Sequence, residues 1–468
     1  MRNSFFISTA IDYPSEKPHP GHCLEKIQAD VIARHKRLQG FDVHFSTGTD
    51  EHGLKIQRRA QKAGKKPQEF VDEMSKYFKN LWKILNISND DFIRTTEKRH
   101  IKVVREIIKK IYEKGDIYKG KYKGLYCVDC ETYYLPKDLE AGLCPIHHKP
   151  AEMIEEEAYF FKMSKYQKKL LNHIEKNEDF IIPESKRNEI LNRLKKPLQD
   201  LSISRATVEW GIPFLFDKKL TLFVWVEALI NYLTTIDYPR NKFKKFWPAD
   251  VHMIGKDIIW HHGVIFPCLL FSAGLKLPKT IFVHGFITVG GQKMSKSLGN
   301  VVDPFELVKK YGTDPVRYFL LREIIPTEDG DFTYEKFEQR YNSDLAKGLG
   351  NLVARVVTLA DKYDVSSKLK ASRQTQEEID NTQKKYQKAL KEFKFNEALA
   401  VVWEFISLCD EYIEREKPWE GNKKEVVENL LLTLKEIAKL LEPFLPQTSE
   451  EVIRQIKSRK SKPLFPRI

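Results

Sequence analysis

The sequence predicts an α/β protein with a parallel sheet, interrupted by an insertion and followed by an all-α helical bundle. Three observations lead to this prediction. The N-terminal segment reads as strand, helix and strand; residues 116–220 change to short, charge-rich, Cys-containing segments; and the pattern beyond residue 340 is helical throughout. Strand–helix–strand alternation is typical of parallel sheets covered by helices, whereas helices in series form bundles.

The first strand–helix–strand unit lies at the N-terminus. "SFFISTAI" (residues 4–11) is apolar and rich in strand-favouring residues, which predicts a buried strand. A proline-rich turn leads to "HCLEKIQADVIARHKRLQG" (22–40), where apolar residues recur at helical spacing and Gly40 ends the helix. "FDVHFSTGTDEHG" (41–53) then predicts a second strand that ends in a polar turn.

Residues 116–220 lack this pattern and are interpreted as an insertion, after which the α/β pattern resumes. "LTLFVWVEALINYL", "DVHMIGKDIIW" and "KTIFVHGFITV" carry it forward. In the last region, segments such as "KEVVENLLLTLKEIAKLLEPF" place apolar residues every three to four positions. That spacing gives each helix one apolar stripe, as packing in a bundle requires.

Composition describes an ordinary globular protein of 468 residues, 41% hydrophobic and 31% charged. The first apolar run is too short for a signal peptide and no 18-residue apolar stretch follows, so we expect a cytoplasmic protein without membrane association. A net charge of +14 favours a polyanionic partner such as nucleic acid. Six cysteines in a cytosolic chain of this length do not indicate a disulfide framework.

Two histidines stand where the first strand meets its helix. "KPHPGHCLEK" contains His19, Gly21 and His22. Ligands of parallel α/β sheets bind at this edge, and the backbone N–H groups of a helix start favour phosphate. The glycine allows a flat base to approach the backbone, and the imidazoles can donate to phosphate oxygens that gain charge in a transition state. Two such histidines alone would more often be caps or surface residues.

A lysine-rich loop, "GGQKMSKSLGN" (290–300), follows some 270 residues later and carries Lys293 and Lys296. By itself it would be a solvated surface loop. "HPGH" followed by "KMSKS" on an α/β chain, however, closely resembles the two-part signature of class I aminoacyl-tRNA synthetases. The first half also occurs in small nucleotidyltransferases, which lack the second half and the helical tail. The resemblance implies that the lysines neutralise the departing pyrophosphate of ATP, with Mg²⁺ sharing the charge.

The resemblance extends to the methionyl-tRNA synthetases over essentially the whole chain, through "TAIDYPSEKPHPGH", "TGTDEHG", "FVWVEALINYL", "MIGKDIIWHH" and "VHGFITVGGQKMSKSLGN". It implies a Rossmann-like catalytic domain in two halves, a connective insertion with a zinc knuckle, a KMSKS and stem-contact region, and a helical anticodon-binding domain. The catalytic domain comprises residues 1–115 and 221–290, and the connective insertion comprises residues 116–220. The KMSKS and stem-contact region comprises residues 291–340, and the anticodon-binding domain comprises residues 341–468.

The same resemblance assigns site residues. For methionine it implies that Asp50 holds the α-ammonium group and that the side chain lies among Ile11, Tyr13, Trp225, Ala228, Leu229, Tyr232 and His262. It also implies that ATP is bound by His19, Gly21, His22, Gly255, Asp257, Lys293, Ser295 and Lys296. The histidines and lysines among them are implied to be catalytic. Aromatic edges suit a polarisable thioether, and Tyr232 and His262 offer weak donors towards sulfur. Without the surrounding motifs, Trp225 and Tyr232 would be read as core aromatics.

The length of the insertion supports methionine. Synthetases for leucine, isoleucine and valine carry a large editing domain, because a pocket rejects a missing methylene only weakly. An insertion of about 105 residues, counted over 116–220, is too short for that domain plus a zinc module. The cysteine-specific relatives are also small but resemble the pocket segments less.

"CVDC" and "CPIH" predict one structural zinc site, with Cys127, Cys130, Cys144 and His147 as ligands. Three thiolates and one imidazole at C-x₂-C and C-x₂-H spacing match the tetrahedral coordination of Zn²⁺, and four protein ligands leave no open position. His148 is an alternative ligand. Chance clustering of reduced cysteines is the competing interpretation.

In the helical tail, Asn351 and Arg355 lie four residues apart on one helix face, and Trp419 follows a proline after a helix end. These three match the anticodon-reading residues of methionyl-tRNA synthetases, with Trp419 stacking on a base. An interhelix hydrogen bond by Asn351 and a packed Trp419 are the structural alternatives. A basic stretch near the end is expected to be a solvated face: Arg454, Lys457, Arg459, Lys460 and Lys462.

Three positions depart from the family pattern: Pro20 within the HxGH motif, Asp12 before Tyr13, and Glu227 where aspartate is common. Proline suits the first turn of a helix, so an altered turn and little loss of activity are expected from Pro20. The chain ends with the bundle, so we expect a monomer. The predicted activity is ATP-dependent charging of initiator and elongator methionine tRNA. A catalytically silent tRNA-binding paralogue and a synthetase for another amino acid are the rival hypotheses.

Overall fold

The computed structural model describes residues 3–127, 132–134, 139–145, 148–293, 301–363, 365, 370–421, 423–466 and 468. It divides into two compact units. The first unit comprises Met1–Pro18, Gly40–Asn80 and Asn89–Val283, and the second comprises His19–Gln39, Leu81–Ser88 and His284–Ile468.

Strands and helices are numbered in chain order within the described residues. The strands are β1 Ser4–Thr9, β2 Asp42–Thr49, β3 Asp91–Arg94, β4 Ile117–Cys127, β5 Thr132–Tyr134, β6 Glu152–Phe161, β7 Ile181–Ile182, β8 Leu201–Ser202, β9 Ser204–Arg205, β10 Thr221–Leu222, β11 Val251–Gly255, β12 Thr280–His284, β13 Ile287–Val289, β14 Gln292–Lys293 and β15 Gly330–Phe332. The helices are α1 Pro20–Leu38, α2 Leu54–Lys62, α3 Pro67–Ile84, α4 Lys98–Glu113, α5 Gln167–Lys176, α6 Glu184–Leu194, α7 Val224–Ala228, α8 Asn231–Thr234, α9 Asn241–Phe246, α10 Phe266–Ser272, α11 Pro304–Tyr311, α12 Thr313–Arg322, α13 Tyr334–Arg340, α14 Asn351–Lys362, α15 Arg373–Lys391, α16 Phe395–Glu416, α17 Lys424–Leu441 and α18 Pro446–Ser458.

The first unit is built on a six-stranded sheet with the order β3-β2-β1-β11-β12-β7. Strand β1 pairs in parallel with β2 on one side and β11 on the other, with Ser8 opposite both Ser46 and His252. All five residues of β11 are buried, which is the pattern of a parallel strand covered on both faces. The predicted parallel α/β architecture is confirmed.

The segment read as an insertion folds mainly into a four-stranded antiparallel sheet with the order β5-β4-β6-β8. Strands β4 and β6 pair from Ile117 opposite Phe161 to Tyr126 opposite Glu152. The same segment also supplies β7, which pairs in parallel with β12 of the six-stranded sheet. The insertion therefore contributes one short strand to the parallel sheet, which its sequence pattern did not reveal.

The C-terminal part of the second unit is helical, as predicted, from α14 to α18. These helices bury apolar stripes; α14, for example, buries Leu352, Val353, Val356 and Val357. Residues Tyr341–Gly350, which precede α14, form a π-helical segment. Among the residues that the structure describes, no helix is long and apolar enough to cross a membrane.

A buried arginine connects several elements of the second unit. Arg317 on α12 is fully buried and donates to the carbonyl oxygens of Phe444 at 2.7 Å, Pro443 at 2.9 Å and Leu85 at 3.1 Å. Its guanidinium also lies 2.8 Å from a carboxylate oxygen of Asp30 on α1. One side chain thus links α1, the segment after α3, α12 and the turn before α18, because a guanidinium offers five donors in a fixed plane.

Candidate active site

The HxGH segment forms the N-terminus of α1. His19 is the N-cap, with extended backbone angles of φ −130° and ψ 171°, and Pro20 is the first helical residue. A residue before proline favours extended angles, and proline suits the first helical position because its missing N–H would have no helical partner. Pro20 is therefore accommodated at the first helical position, and the helix start keeps its capping hydrogen bonds.

The two histidine rings of this segment cap the helix reciprocally. The Gly21 amide donates to Nδ1 of His19 and the His19 amide donates to Nδ1 of His22, both at 3.1 Å. Because a backbone N–H can only donate, each Nδ1 accepts and each neutral ring carries its proton on Nε2. A Cβ at Gly21 would lie 2.9 Å from Cε1 of His19, so the absence of a side chain there is what admits the capping ring.

The His22 ring is held neutral. Removal of the ring from water lowers its pKa well below 6.5, and the neighbouring His19 and Lys26 lower it further. A neutral ring keeps Nδ1 as an acceptor and Nε2–H as a donor. The helix start therefore carries two imidazoles of known tautomer, with centroids 3.9 Å apart.

The first unit contains the residues assigned to methionine. Asp50 directly follows β2, is buried, and donates its amide to the Asp12 carbonyl at 2.8 Å. The Asp12 amide in turn donates to the Gly48 carbonyl at 2.8 Å. The segment of Ile11, Asp12 and Tyr13 is thus tied by backbone hydrogen bonds to the end of β2, and the Asp12 departure does not prevent this connection.

Tyr232 and His262 form the second group. The Tyr232 hydroxyl lies 2.7 Å from Nε2 of His262, and Nδ1 of His262 lies 3.0 Å from the Ile258 carbonyl oxygen. A carbonyl can only accept, so Nδ1 donates and, in the neutral ring, Nε2 accepts the tyrosine proton. Both side chains are nearly inaccessible to solvent, as are Ala228 and Leu229. The two polar hydrogens of the pair are already used, which differs from the expectation of weak donors aimed at sulfur.

Glu227, one of the three departures from the family pattern, lies on α7 and is hydrogen-bonded to two histidines from other parts of the first unit. Its carboxylate accepts from Nδ1 of His52 at 2.8 Å and from Nε2 of His100 at 2.9 Å. The His52 carbonyl accepts the Tyr13 hydroxyl at 2.9 Å. Glu227 lies on α7 between Trp225 and Ala228, so it connects the pocket helix with Tyr13. Burial alone would raise the pKa of Glu227, but His52 and His100 outweigh it and hold the pKa below 4.5.

Trp225 is stacked on His261, with centroids 3.9 Å apart and planes 22° apart. Removal from water, followed by the nearby His262 and Arg193, lowers the pKa of His261 to about 3, so this ring stacks as a neutral aromatic. His262 and His261 belong to a π-helical turn, His261–Ile265. Such turns occur frequently at functional sites.

The residues assigned to the ATP ribose follow β11. Gly255 is the buried last residue of this strand, and Asp257 is exposed in a short 3₁₀ turn over Lys256–Ile258. Both therefore stand at the carboxyl end of a central strand, where ligands of parallel sheets bind.

The glycine pair before the lysine-rich loop forms a hairpin turn. Gly290 and Gly291 have φ of 61° and 74°, and β13 and β14 pair on either side, with Thr288 opposite Lys293. Two consecutive positive φ values favour glycine at both positions. Asp331 accepts from the Gly291 amide and the Thr288 hydroxyl, both at 2.8 Å. The Lys293 backbone is thus placed on β14, whereas Ser295 and Lys296 lie outside the described residues.

Two of the four predicted zinc ligands are described. Cys127 ends β4 and Cys144 lies in a turn where its amide donates to the Lys149 carbonyl at 2.8 Å; both are buried. Cys130 and His147 lie outside the described residues. Among the described residues no group of three or more metal-ligating side chains is present.

The anticodon candidates lie on α14 and after α16. Asn351 is exposed at the start of α14, and one helical turn later Arg355 contacts Glu414 at 2.6 Å and Asp410 at 3.3 Å. Trp419 is 46% exposed, which excludes the packed-anchor alternative. Its turn is held by Tyr363, whose hydroxyl donates to the carbonyl oxygens of Pro418 and Gly421.

Sequence reasoning missed several of these partners. His52 stands in "TGTDEHG" without an assigned role, His100 lies on a helix outside the motifs, and neither Asp410 nor Glu414 stands in a motif. The carboxylate of Glu227 was the available signal for the first pair, because a carboxylate buried in a pocket helix requires a buried counter-group.

Comparison with known proteins identifies the class first. The family model described as "tRNA synthetases class I (M)" matches residues 5–151 and 130–357, and the model "Anticodon-binding domain of tRNA ligase" matches residues 372–465. The fold and the HxGH helix are thus those of a class I aminoacyl-tRNA synthetase.

Individual relatives narrow the family. The methionine–tRNA ligase of Caldanaerobacter subterraneus is 46% identical over 97% of this chain and 74% of its own length, and that of Thermotoga maritima is 46% identical over 97% and 75%. The solved structure of Mycobacterium tuberculosis methionyl-tRNA synthetase in complex with methionyl-adenylate matches with a TM-score of 0.92 and 37% identity, covering 96% of this chain and 93% of that one. The chain belongs to the methionyl-tRNA synthetase family.

Proposed function

We propose that the chain activates L-methionine with ATP to methionyl-adenylate and pyrophosphate, then transfers the methionyl group to the 3′-terminal adenosine of initiator and elongator tRNA(Met). Family membership provides the class of reaction. The observation that supports the adenylation step is the pair of capping imidazoles at the α1 N-terminus, each with its proton on Nε2. Such donors stabilise the charge that develops on phosphate oxygens.

The phosphate chemistry is mainly positioning and charge neutralisation. His19 and His22 bind the triphosphate from the helix start, with Gly21 allowing close approach. Lys293, Ser295 and Lys296 bind the departing pyrophosphate, while Gly255 and Asp257 bind the ribose. Mg²⁺ arriving with ATP supplies additional positive charge to the phosphates.

Methionine is held by its two ends. The Asp50 carboxylate binds the α-ammonium group, since a buried carboxylate prefers a cationic partner. The thioether packs among Ile11, Tyr13, Trp225, Ala228, Leu229, Tyr232 and His262. Because the Tyr232 hydroxyl donates to His262 and Nδ1 of His262 donates to the Ile258 carbonyl, both polar hydrogens are used, and sulfur is recognised by ring edges and by shape.

A structural zinc ion bound by Cys127, Cys130, Cys144 and His147 completes the proposal for the insertion. Support comes from the chemistry of the donor set and from the burial of both described thiols, Cys127 and Cys144. Four protein ligands would tie together a segment with few apolar residues of its own. Metal analysis should return one zinc per chain, and removal by a chelator should unfold this segment; a metal-free chain with unchanged melting would contradict the proposal.

In the bundle, Trp419 stacks on an anticodon base while Asn351 and Arg355 read base edges. The exposure of Trp419 and Asn351 supports this assignment, since unpaired bases are recognised by stacking and by edge hydrogen bonds. The exposed ion pairs of Arg355 are weak in water, so the guanidinium can exchange them for a base at small cost. The chain would act in the cytoplasm as a monomer.

ATP–pyrophosphate exchange measured against each amino acid tests the function. Exchange with methionine is expected, and exchange with cysteine or leucine alone would overturn the assignment. Exchange with no amino acid would indicate a silent tRNA-binding paralogue. Lys296→Ala should lower the exchange rate strongly with little change in methionine affinity, whereas an equal loss in both would contradict a role confined to the transition state.

A further inference from the structure

Glu51, which directly follows Asp50, is a buried carboxylate that has no role in the proposed chemistry. Its side chain is 0% exposed. One carboxylate oxygen accepts from Nε of Arg94 at 2.6 Å and from the Thr49 hydroxyl at 2.7 Å, and the other accepts from the Thr96 hydroxyl at 2.6 Å. A buried charge persists when it is paired and hydrogen-bonded, and Glu51 meets both conditions.

The backbone of Glu51 is held in addition to its side chain. The Glu51 amide donates to the Thr95 hydroxyl oxygen at 2.9 Å, and the Glu51 carbonyl oxygen accepts from Nε1 of Trp210 at 2.6 Å. Thr95 directly follows β3, and Trp210 belongs to the segment before β10, so distant parts of the first unit supply both partners. The amide, the carbonyl and the carboxylate of this one residue are therefore all engaged.

These hydrogen bonds act on a segment that regular structure does not hold. Strand β2 ends just before Asp50, and the three residues that follow the strand belong to no strand or helix. The Asp50 amide donates to the Asp12 carbonyl at 2.8 Å, and the next amide, that of Glu51, donates to Thr95. Because each peptide group is planar, these two hydrogen bonds fix both peptide planes that flank Asp50 and so direct its side chain.

The end of β3 anchors Glu51 through three consecutive residues, Arg94 to Thr96, which contact its carboxylate and its amide. The Arg94 guanidinium also lies 2.5 Å from Asp72 on α3, so the cation that pairs with Glu51 is itself held on a second side. Of the two adjacent acids in this motif, Glu51 is committed to donors within the protein. Asp50 is therefore the acid that suits an incoming ammonium group.

We propose that Glu51 is a positioning residue for the α-ammonium site. Its hydrogen bonds to the end of β3 fix the peptide that carries Asp50, and the preference of the enzyme for a substrate with an α-amino group depends on them. Glu51 acts through Asp50 and makes no contact with methionine. The inference rests on the proposed role of Asp50 and deepens it.

The test measures how strongly the full chain prefers an amino group. Equilibrium dialysis gives dissociation constants for L-methionine and for γ-(methylthio)butyrate, which is methionine without its α-amino group. The ratio of the two constants isolates the amino group, because the thioether and the carboxylate are common to both ligands. The double variant Glu51→Leu/Arg94→Met removes both members of the buried pair and leaves the net charge unchanged. Its preference for methionine should fall about tenfold, as expected when a charge-assisted hydrogen bond is misaligned.

Thr95→Val acts on the backbone instead, since it removes the oxygen that accepts the Glu51 amide. The preference should fall several-fold in this variant too, and Thr95→Val provides the measurement if the double variant does not fold. Glu97→Leu/Arg99→Met is the matched control, because it removes a more exposed ion pair, with side chains 31% and 44% exposed, and should keep the native preference. Equal weakening of both ligands in the test variants would overturn the inference, as would an equal fall of the preference in the control.

Asp50→Asn separates this inference from the proposed function. If Asp50→Asn loses the preference for the amino group while the double variant and Thr95→Val keep it, Asp50 retains its role and Glu51 loses its own. If Asp50→Asn keeps the native preference, the proposed role of Asp50 falls, and this inference with it.

Discussion

Tyr232 and His262 are joined by a hydrogen bond of 2.7 Å between the phenol oxygen and ring Nε2. Both side chains are buried, with only 1% and 3% exposed. The second ring nitrogen is held by the Ile258 carbonyl, so the direction of the tyrosine proton is determined. This pair gives the proposed methionine pocket one rigid polar corner.

Tyr232→Phe should weaken methionine binding. The change releases the His262 ring from the position that it holds in the proposed pocket, so methionine must order the ring on binding, at a cost of about 1–2 kcal/mol. The KM for methionine in ATP–pyrophosphate exchange should rise about tenfold, with a smaller change in kcat. Tyr238→Phe, which removes a hydroxyl from another buried tyrosine at 8% exposure, is the control and should leave the KM unchanged. Equal effects of the two variants would contradict a specific role for the pair.

Glu227→Gln should destabilise the first unit. An amide offers one acceptor and one donor where the carboxylate offers two acceptors, so one imidazole must lose its hydrogen bond or change tautomer, at a cost of about 1–3 kcal/mol in the free energy of unfolding. Denaturant unfolding at pH 7 measures this cost. Glu157→Gln, in a surface pair with 49% and 61% exposed side chains, should cost little.

The same carboxylate should contribute to acid sensitivity. The pKa of Glu227 is below 4.5 in the folded chain because His52 and His100 outweigh the effect of burial. Its contribution to stability is therefore complete above about pH 4.5 and is lost as the pH falls through the lower, folded-state pKa. Unfolding free energies measured between pH 3 and 7 should fall more steeply for the native chain than for Glu227→Gln. Parallel curves would refute this assignment.

Arg317→Met should destabilise the second unit. The change leaves the carbonyl oxygens of Phe444 and Pro443 without their guanidinium donor and removes the buried cation paired with Asp30, a loss of about 3–5 kcal/mol. Thermal melting followed by circular dichroism should show a markedly lower Tm. Arg373→Met removes a 93% exposed guanidinium and should leave the Tm within error of the native chain. A native-like Tm for Arg317→Met would show that this connection is dispensable.

Trp419→Ala should separate tRNA charging from adenylation. Loss of base stacking costs about 1–3 kcal/mol, so the KM for tRNA(Met) in aminoacylation should rise about tenfold or more. The rate of ATP–pyrophosphate exchange should not change. Tyr363→Phe, which only releases the turn that carries Trp419, should give a smaller rise. A loss of exchange activity in Trp419→Ala would point to a folding defect instead.

Local patterns predicted the elements that build the core. The strand in "SFFISTAI" and the helix that follows were recognisable because β-branched and aromatic runs, and apolar residues at helical spacing, are properties of contiguous residues. The HxGH pair belongs to the same category, since His19 and His22 cap one helix turn and their contact depends on their separation of three residues.

Strand β7 has no local sequence signal. It consists of Ile181 and Ile182 alone, and two residues are too few to show a periodic pattern. These residues pair with Ile281 and Phe282 of β12, which are distant in the sequence. A two-residue strand forms only when a sheet edge is already present, so no local signal marks it.

The amino-acid sequence by itself determined the class of the fold, the order of its parts and the motifs of the catalytic candidates, because each of these is encoded in residues close together along the chain. Only the tertiary structure decided the polar partners: His52 and His100 on Glu227, His284 on Glu25, and Asp30 with three carbonyl oxygens around Arg317. Burial makes such partners obligatory, but any distant element can supply them, so the folded chain alone shows which one does.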